Sequence, residues 1–319
     1  MSSPVPETPP RCWVVCPVYR DSDAFGELRR RVRAALAPLA GVGDVRFVAV
    51  DDTAGEDVRL HAMQDESTRV LTPPYNLGHQ GAIVFALREI AADVAPADIV
   101  VTMDSDGEDR PDDLPALLKP LLDVPDDLHL VSIARRTQRQ EDTLFRLAYL
   151  AFKALFLVLA GTVVRSGNFA AMRGALVRAT IGHPCFDQCY SSSLVALPFR
   201  RREVPLARGN RFSGESRMDA FRLVTHGMHM LMPFLDRIAV RALLASAVGL
   251  ALGVLMLLVV LAGRLAGQMP PAWLGTAAAF IVLASILGGL TALILFATAA
   301  RARAQSLRVL HTETLGKPR

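Results

Sequence analysis

The chain has 319 residues, room for one large domain and a smaller partner. It is 51% hydrophobic with a mean hydropathy of +0.31, high for a wholly soluble enzyme, so a membrane part is expected. A net charge of +4 and a pI of 9.1 suit nucleic acid or anionic lipid, but aromatics make up only 6% and the basic residues cluster beside apolar segments. That favours a membrane surface and argues against nucleic acid. Cys12, Cys16, Cys185 and Cys189 are too few for a disulfide scaffold in a chain this long, and Cys185 and Cys189 lack a second ligand pair at zinc spacing.

Residues 1–10 are rich in Pro and Ser with no apolar core, so they read as a loose tail and not as a signal peptide. Cys12–Tyr19 reads as a first strand ending at Pro17. Asp21–Leu39 follows with Phe25, Leu28, Val32 and Leu36 at helical spacing. Val45–Val50 is a second strand, closed by Asp51, Asp52 and Thr53. Helical propensity returns over Glu56–Gln64, and Thr68–Leu71 is a third strand. Pro73–Gly81 reads as a turn-rich loop that feeds a helix over Ala82–Ala92.

Ile99 opens a short, β-branched apolar run that ends abruptly in acids: Asp104, Asp106, Glu108, Asp109 and Asp112. In an extended segment Asp104, Asp106 and Glu108 face the same way, because side chains alternate. Three such carboxylates repel one another unless a cation sits among them, and oxygen ligands suit Mg²⁺ or Mn²⁺. A solvated acidic turn is the plainer reading of this stretch alone. Strands alternating with helices, however, imply a mostly parallel α/β sheet, in which ligands bind at the carboxyl ends of strands. Pro17–Asp21, Asp51–Asp52 and Asp104–Asp106 all fall at such ends.

Four segments resemble, in order and spacing, the landmarks of family 2 glycosyltransferases. They are Val15–Tyr19, Val50–Thr53, Asn76–Gly81 and Met103–Pro111. The family's Asp-x-Asp-x-Gln-Asp/His-Pro-Pro pattern departs here at Glu108 and Arg110. The resemblance implies a Rossmann-like GT-A fold and a nucleotide-sugar donor. By it, Pro17, Tyr19, Asp21, Asp51, Asp52, Asn76 and Gly78, with Asp104, bind the nucleotide sugar. Asp104 and Asp106, with Glu108, hold the metal against the diphosphate.

The second half narrows the branch. Leu128–Ala134 is another strand, running into Arg135, Arg136 and Arg139. Leu144–Ala160 is almost wholly apolar but short for a span, so a buried or interfacial helix is expected. Ser166–Phe169 and Arg208–Arg217 resemble motifs of the polyprenyl-phosphate branch, the dolichol-phosphate mannosyltransferase-like enzymes. The usual Arg-x-x-Gly-x-Ser-Lys is matched by Arg211, Gly214, Ser216 and Arg217. The resemblance implies that Arg135, Arg146, Arg211 and Ser216 face a lipid phosphate, which guanidinium forks pair well.

The expected organisation is a tail (1–10), a GT-A domain (11–216), an amphipathic linker (217–241), spans at 242–263 and 275–300, and a basic tail (301–319). Both spans are free of charge. Arg237 and Arg241 precede the pair, Arg301, Arg303, Arg308, Lys317 and Arg319 follow it, and the connecting loop holds Arg264. The positive-inside rule then puts both ends and the catalytic domain in the cytoplasm, at the inner membrane.

The expected activity is inverting transfer of a sugar from a nucleotide-sugar donor to a polyprenyl phosphate. Relatives often carry Asp where this chain has Asn168, and an amide cannot act as general base. A phosphate acceptor needs none, since its second pKa is ~6. Asn168 therefore joins Asp104 and Asp106 as a candidate catalytic residue, unless Glu108, Asp109 or Asp187 supplies a base for a hydroxyl acceptor. A hydroxyl acceptor on another lipid or glycan is the main rival. A non-catalytic scaffold gives no reason for clustered carboxylates, and a transporter no ionisable residue in either span. Sugar, base, lipid length and assembly into a homo-oligomer are left open.

Overall fold

The computed structural model describes residues 9–136, 143–164, 166–212 and 220–310. It divides into two compact units. One holds the sheet; the other comprises Leu144–Val163 and Leu231–Gln305.

The sheet has seven strands in the order β3-β2-β1-β4-β6-β5-β7. These are β1 (Cys12–Val18), β2 (Val45–Asp51), β3 (Thr68–Leu71), β4 (Ile99–Thr102), β5 (Leu130–Arg136), β6 (Ser166–Arg173) and β7 (Arg200–Leu206). The first four run parallel, as does the β5–β7 pair, while β6 lies antiparallel between β4 and β5. The inner strands are near-continuous Val, Ile and Ala, as expected where helices cover both faces. On one face the helices Ser22–Leu36 and Leu114–Asp123 bury Phe25, Leu28, Val32, Leu117 and Leu121 against Val14, Phe47 and Val101. On the other, Gly78–Ile90 buries Ile83, Leu87 and Ile90 against Val15, Val48 and Val131.

Three elements differ from expectation in ways that matter for the site. Pro17 does not end β1; the strand continues to Val18 in register with β2. β4 stops pairing at Val15, so the missing Pro17 N–H lies beyond the ladder, and the Pro17 carbonyl accepts from Ser105 Oγ (3.0 Å). The helix expected from Ala82 starts at Gly78, which takes φ +70°. Gly78 and Gly81 read as helix breakers, yet His79 and Gln80 stand in the first helical turn. The acidic segment is a turn and not a strand. Gly107 takes φ +91°, and Asp106 Oδ1 accepts the Glu108 N–H (3.0 Å).

In the second unit, Thr143–Ala160 forms the expected apolar helix. Phe156 and Ala160 are buried while Leu150, Leu155, Leu157 and Val158 are exposed, the two-sided pattern of an interfacial helix. Gly161 closes it at φ +72°, and Arg241 donates to the Leu157 and Val158 carbonyls at its end. Long helices follow at Leu235–Leu265 and Ala272–Leu310. Segments Val224–Leu265 and Ala272–Arg301 each contain an 18-residue stretch, of mean hydropathy 2.7 and 2.5, that is only 6% buried, so each presents apolar side chains to its surroundings. They include both expected spans. Gly249 against Ser285 and Gly288 against Ser246 let the two helices approach closely.

Candidate active site

The site forms at the carboxyl edge of β1, β2 and β4. The amino end of antiparallel β6 reaches the same edge. Asp104, Asp106 and Glu108 bring carboxylate oxygens within 4.8 Å of one another, and each is partly exposed. Between them Ser105, Gly107 and Asp109 are buried, so the alternation expected from sequence survives although the segment turns.

Cations surround this cluster. Arg211 Nε donates to Glu108 Oε1 (2.9 Å), and its NH2 lies 3.3 Å from Asp106 Oδ2. Arg208 also pairs with Glu108. Backbone bonds lash the Arg208–Phe212 strap to the acidic turn: Gly209 N to Glu108 O (2.8 Å) and Phe212 N to Asp106 O (2.7 Å). A Cβ on Gly107 would stand 2.7 Å from the Phe212 ring, so glycine is required there for both space and φ. Arg136 NH2 lies 3.2 Å from Asp109 Oδ1 and 3.9 Å from Asp104 Oδ2. His79 Nε2 lies 2.9 Å from Asp104 Oδ1.

These neighbours set the charges. Burial opposes ionisation of Asp104, but His79, Arg136 and Asn168 outweigh it and hold the carboxyl below its usual range. Burial likewise opposes ionisation of Glu108 and is outweighed by Arg208 and Arg211. Asp106 is raised, by burial and then by the charge of Asp104. Asp109, 3% exposed, is pushed up to about 7 by burial and by Asp104. Its Oδ2 accepts the Asp104 N–H (3.0 Å), so it braces the turn from beneath.

Asn168 stands on β6, buried, with Nδ2 3.3 Å from Asp104 Oδ1 and beside His79 Nε2. Gln80 Nε2 donates to its Oδ1. The Thr102 hydroxyl, which receives the Tyr190 O–H, donates to its backbone carbonyl.

Near β1 and β2, Tyr19 is 46% exposed and Arg20 (φ +53°) stacks over its ring. A cleft of about 600 Å³ opens beside it, lined by Arg20, Asp21, Asp23, Glu56 and Arg59 among others. Asp51 is fully buried. Its Oδ1 accepts from the Thr53 N–H and hydroxyl, and its Oδ2 lies 2.9 Å from His61 Nε2. Burial opposes its ionisation, but these partners lower its pKa. Asp52 Oδ1 accepts the Leu77 N–H (2.7 Å) and its carbonyl accepts from Asn76 Nδ2 (2.8 Å). That pins the Asn76–Gly78 corner where the helix begins.

Pro17, Tyr19, Asp21, Asp51, Asp52, Asn76, Gly78, Asp104, Asp106, Glu108, Asn168 and Arg211 thus gather along one edge of the sheet. Arg135 instead lies 3.8 Å from Glu203 on β7. Arg136, its neighbour on β5, meets the acids, so the resemblance named the wrong arginine of the pair and strand register decides which one faces the site. His79, Gln80 and Arg208 are the other members to which sequence reasoning gave no role, while Asp109, considered there as an alternative base, braces the turn. Ser216, with Gly214, Arg217 and Arg139, lies outside the described residues, as does the side chain of Arg146.

An acidic cluster at the carboxyl edge of a mostly parallel α/β sheet stands where such sheets bind their ligands. The chain belongs to glycosyl transferase family 2, whose family model matches residues 13–180, just over half of it. It is a glycosyltransferase with a GT-A fold and two C-terminal apolar helices, as its sequence implied. Among curated proteins it is similar to the undecaprenyl-phosphate 4-deoxy-4-formamido-L-arabinose transferase of Salmonella paratyphi A. The two are 26% identical over 86% of this chain and 83% of that one. It is also similar to the Klebsiella pneumoniae protein of the same name, 27% identical over 76% of each. Among solved structures, glucosyl-3-phosphoglycerate synthase from Mycobacterium tuberculosis, in complex with Mg²⁺ and UDP, aligns with a TM-score of 0.44. It is 18% identical, over 72% of this chain and 79% of that one.

Proposed function

We propose that this protein is a membrane-bound inverting glycosyltransferase that moves a sugar from a nucleotide-sugar donor to a polyprenyl phosphate. The observation that carries the acceptor assignment is Asn168, an amide beside Asp104 where a hydroxyl acceptor would need a base. The other carboxylates considered for that role are engaged. Glu108 is held by Arg208 and Arg211, Asp109 is buried under the turn, and Asp187 pairs with Arg88 (2.6 Å).

Asp104, Asp106 and Glu108 fit a divalent cation: all donors are carboxylate oxygens, close together and partly open to solvent. We assign them to Mg²⁺ or Mn²⁺, which when bound neutralises charge on the departing nucleoside diphosphate. Tyr19, Asp21 and Pro17 face the nucleoside. Asp51 and Asp52 shape that pocket from behind, through Thr53, His61 and the Asn76–Gly78 corner. The acceptor phosphate oxygen attacks the anomeric carbon as the bond to the diphosphate breaks, and the electron pair leaves on the diphosphate. Arg211 receives the acceptor phosphate, with Arg146 and Ser216 added to it by the family resemblance; Arg135, held toward Glu203, is not assigned there. Arg211 must first let go of Glu108 and Asp106.

The domain limits expected from sequence are retained in this reading. Basic residues on both flanks of the two spans, against Arg264 alone in the loop, support cytoplasmic termini and residence in the inner membrane. The test is incubation of purified protein with a panel of nucleotide sugars and either undecaprenyl phosphate or undecaprenol, followed by product mass. A glycosylated lipid phosphate is expected; a product with undecaprenol alone would overturn the reading.

A further inference from the structure

A chain of donors and acceptors that starts at the Ser191 N–H determines which way the Asn168 amide points. Ser191 is the second residue of the helix Tyr190–Ala196, so its N–H is one of the first-turn donors with no partner within that helix. It donates to Gln80 Oε1 (3.0 Å), and Cys189 Sγ lies 3.6 Å from the same oxygen. A backbone N–H can only donate, which fixes Gln80 with its oxygen toward Ser191 and its NH₂ toward Asn168. Asn168 must then present Oδ1 to Gln80, as it does, leaving Nδ2 toward Asp104 Oδ1 and toward His79 Nε2, which itself lies on Asp104 Oδ1. The Asn168 backbone is held as well, by Thr102 and through it Tyr190. The amide therefore cannot flip without stranding a buried donor or acceptor.

We propose that Gln80 is a positioning residue for this transferase: it locks Asn168 as a hydrogen-bond donor aimed at Asp104 and at the phosphate groups that come to it. This rests on the reading of Asp104 as a ligand of a divalent cation. A donor at this point orients the Asp104 carboxylate and suits an anionic acceptor. A flipped amide would set a carbonyl oxygen against a carboxylate.

Gln80→Glu tests this. One carboxylate oxygen still satisfies Ser191, but the other cannot donate to Asn168, so the amide turns over. Mn²⁺ binding, titrated without donor or acceptor, is compared in wild type, Gln80→Glu, Asn168→Ala and the double variant, with melting temperatures alongside. Partners that orient ligands are commonly worth ~10–100-fold in metal affinity. Each single variant is expected to lose about tenfold by that measure, and the double to be no weaker than Asn168→Ala alone. Additive losses, or Gln80 variants that bind Mn²⁺ like wild type, would overturn the proposal. Should Gln80→Glu not fold, Gln80→Met, of similar shape and without the donor, takes its place in the cycle. Transfer assays on the same four proteins separate this from the acceptor assignment. A non-additive cycle in a protein that ignores polyprenyl phosphate would refute the acceptor and leave the relay standing.

Discussion

Arg211 sits where two demands conflict. Its guanidinium bridges Glu108 Oε1 at 2.9 Å and Asp106 Oδ2 at 3.3 Å, so it occupies the charge that a divalent cation would take. A hydrogen bond to a charged group contributes about 1.5–3 kcal/mol. Arg211 is 31% exposed, and water screening brings the contribution of an accessible pair down to about 1 kcal/mol. Arg211→Ala removes that competition, so Mn²⁺ affinity without donor should rise roughly fivefold, at 1.4 kcal/mol per tenfold. Transfer to lipid phosphate should fall all the same, by roughly ten- to a hundred-fold, as a charged hydrogen bond to the acceptor is lost. Calorimetric titration with Mn²⁺ measures the first effect and initial rates at varied acceptor the second. Weaker Mn²⁺ binding by Arg211→Ala would refute the reasoning, because the arginine would then be supporting the cation site instead of competing for it. Equal loss of donor and acceptor use would point to a folding role.

Asp104→Asn and Asp106→Asn should each abolish transfer while leaving the protein folded and in the membrane; wild-type rates from both in EDTA would exclude a metal at these residues. The rate should follow ionisation of the acceptor, declining as pH drops below ~6, the second pKa of a phosphate monoester. Asn168→Ala should slow transfer moderately, while Asn168→Asp should bring no gain, since its carboxylate repels an incoming dianion. A large gain from Asn168→Asp, with no acid loss in wild type, would favour a hydroxyl acceptor. A reporter fused after Arg319 should be cytoplasmic, and a tag between Gly267 and Gln268 reachable from outside; an external C-terminus would mean a different number of spans.

Much of the sheet could be read because its inner strands are apolar runs and its helices carry clear spacing. β3 falls at the expected Thr68–Leu71, and Phe25, Leu28, Val32 and Leu36 all bury. What escaped depends on distant partners. Nothing local says that β6 inserts antiparallel between β4 and β5, yet this insertion delivers Asn168 to Asp104. Arg135 and Arg136 are equivalent in sequence until pairing assigns their faces. His79 and Gln80 looked like loop residues because glycines flank them, and the helix start that holds them is secured by Asp52 from another strand's end. The acidic motif itself was legible, since carboxylates at alternate positions share a side whether the chain extends or turns.

In the proposed reaction the new bond joins a sugar to a lipid phosphate. Phosphorus NMR of undecaprenyl phosphate after reaction with the accepted nucleotide sugar reads that bond directly. The lipid phosphomonoester signal should be replaced by a phosphodiester signal as nucleoside diphosphate accumulates. A glycosylated product whose lipid phosphorus remains a monoester would contradict the proposed reaction.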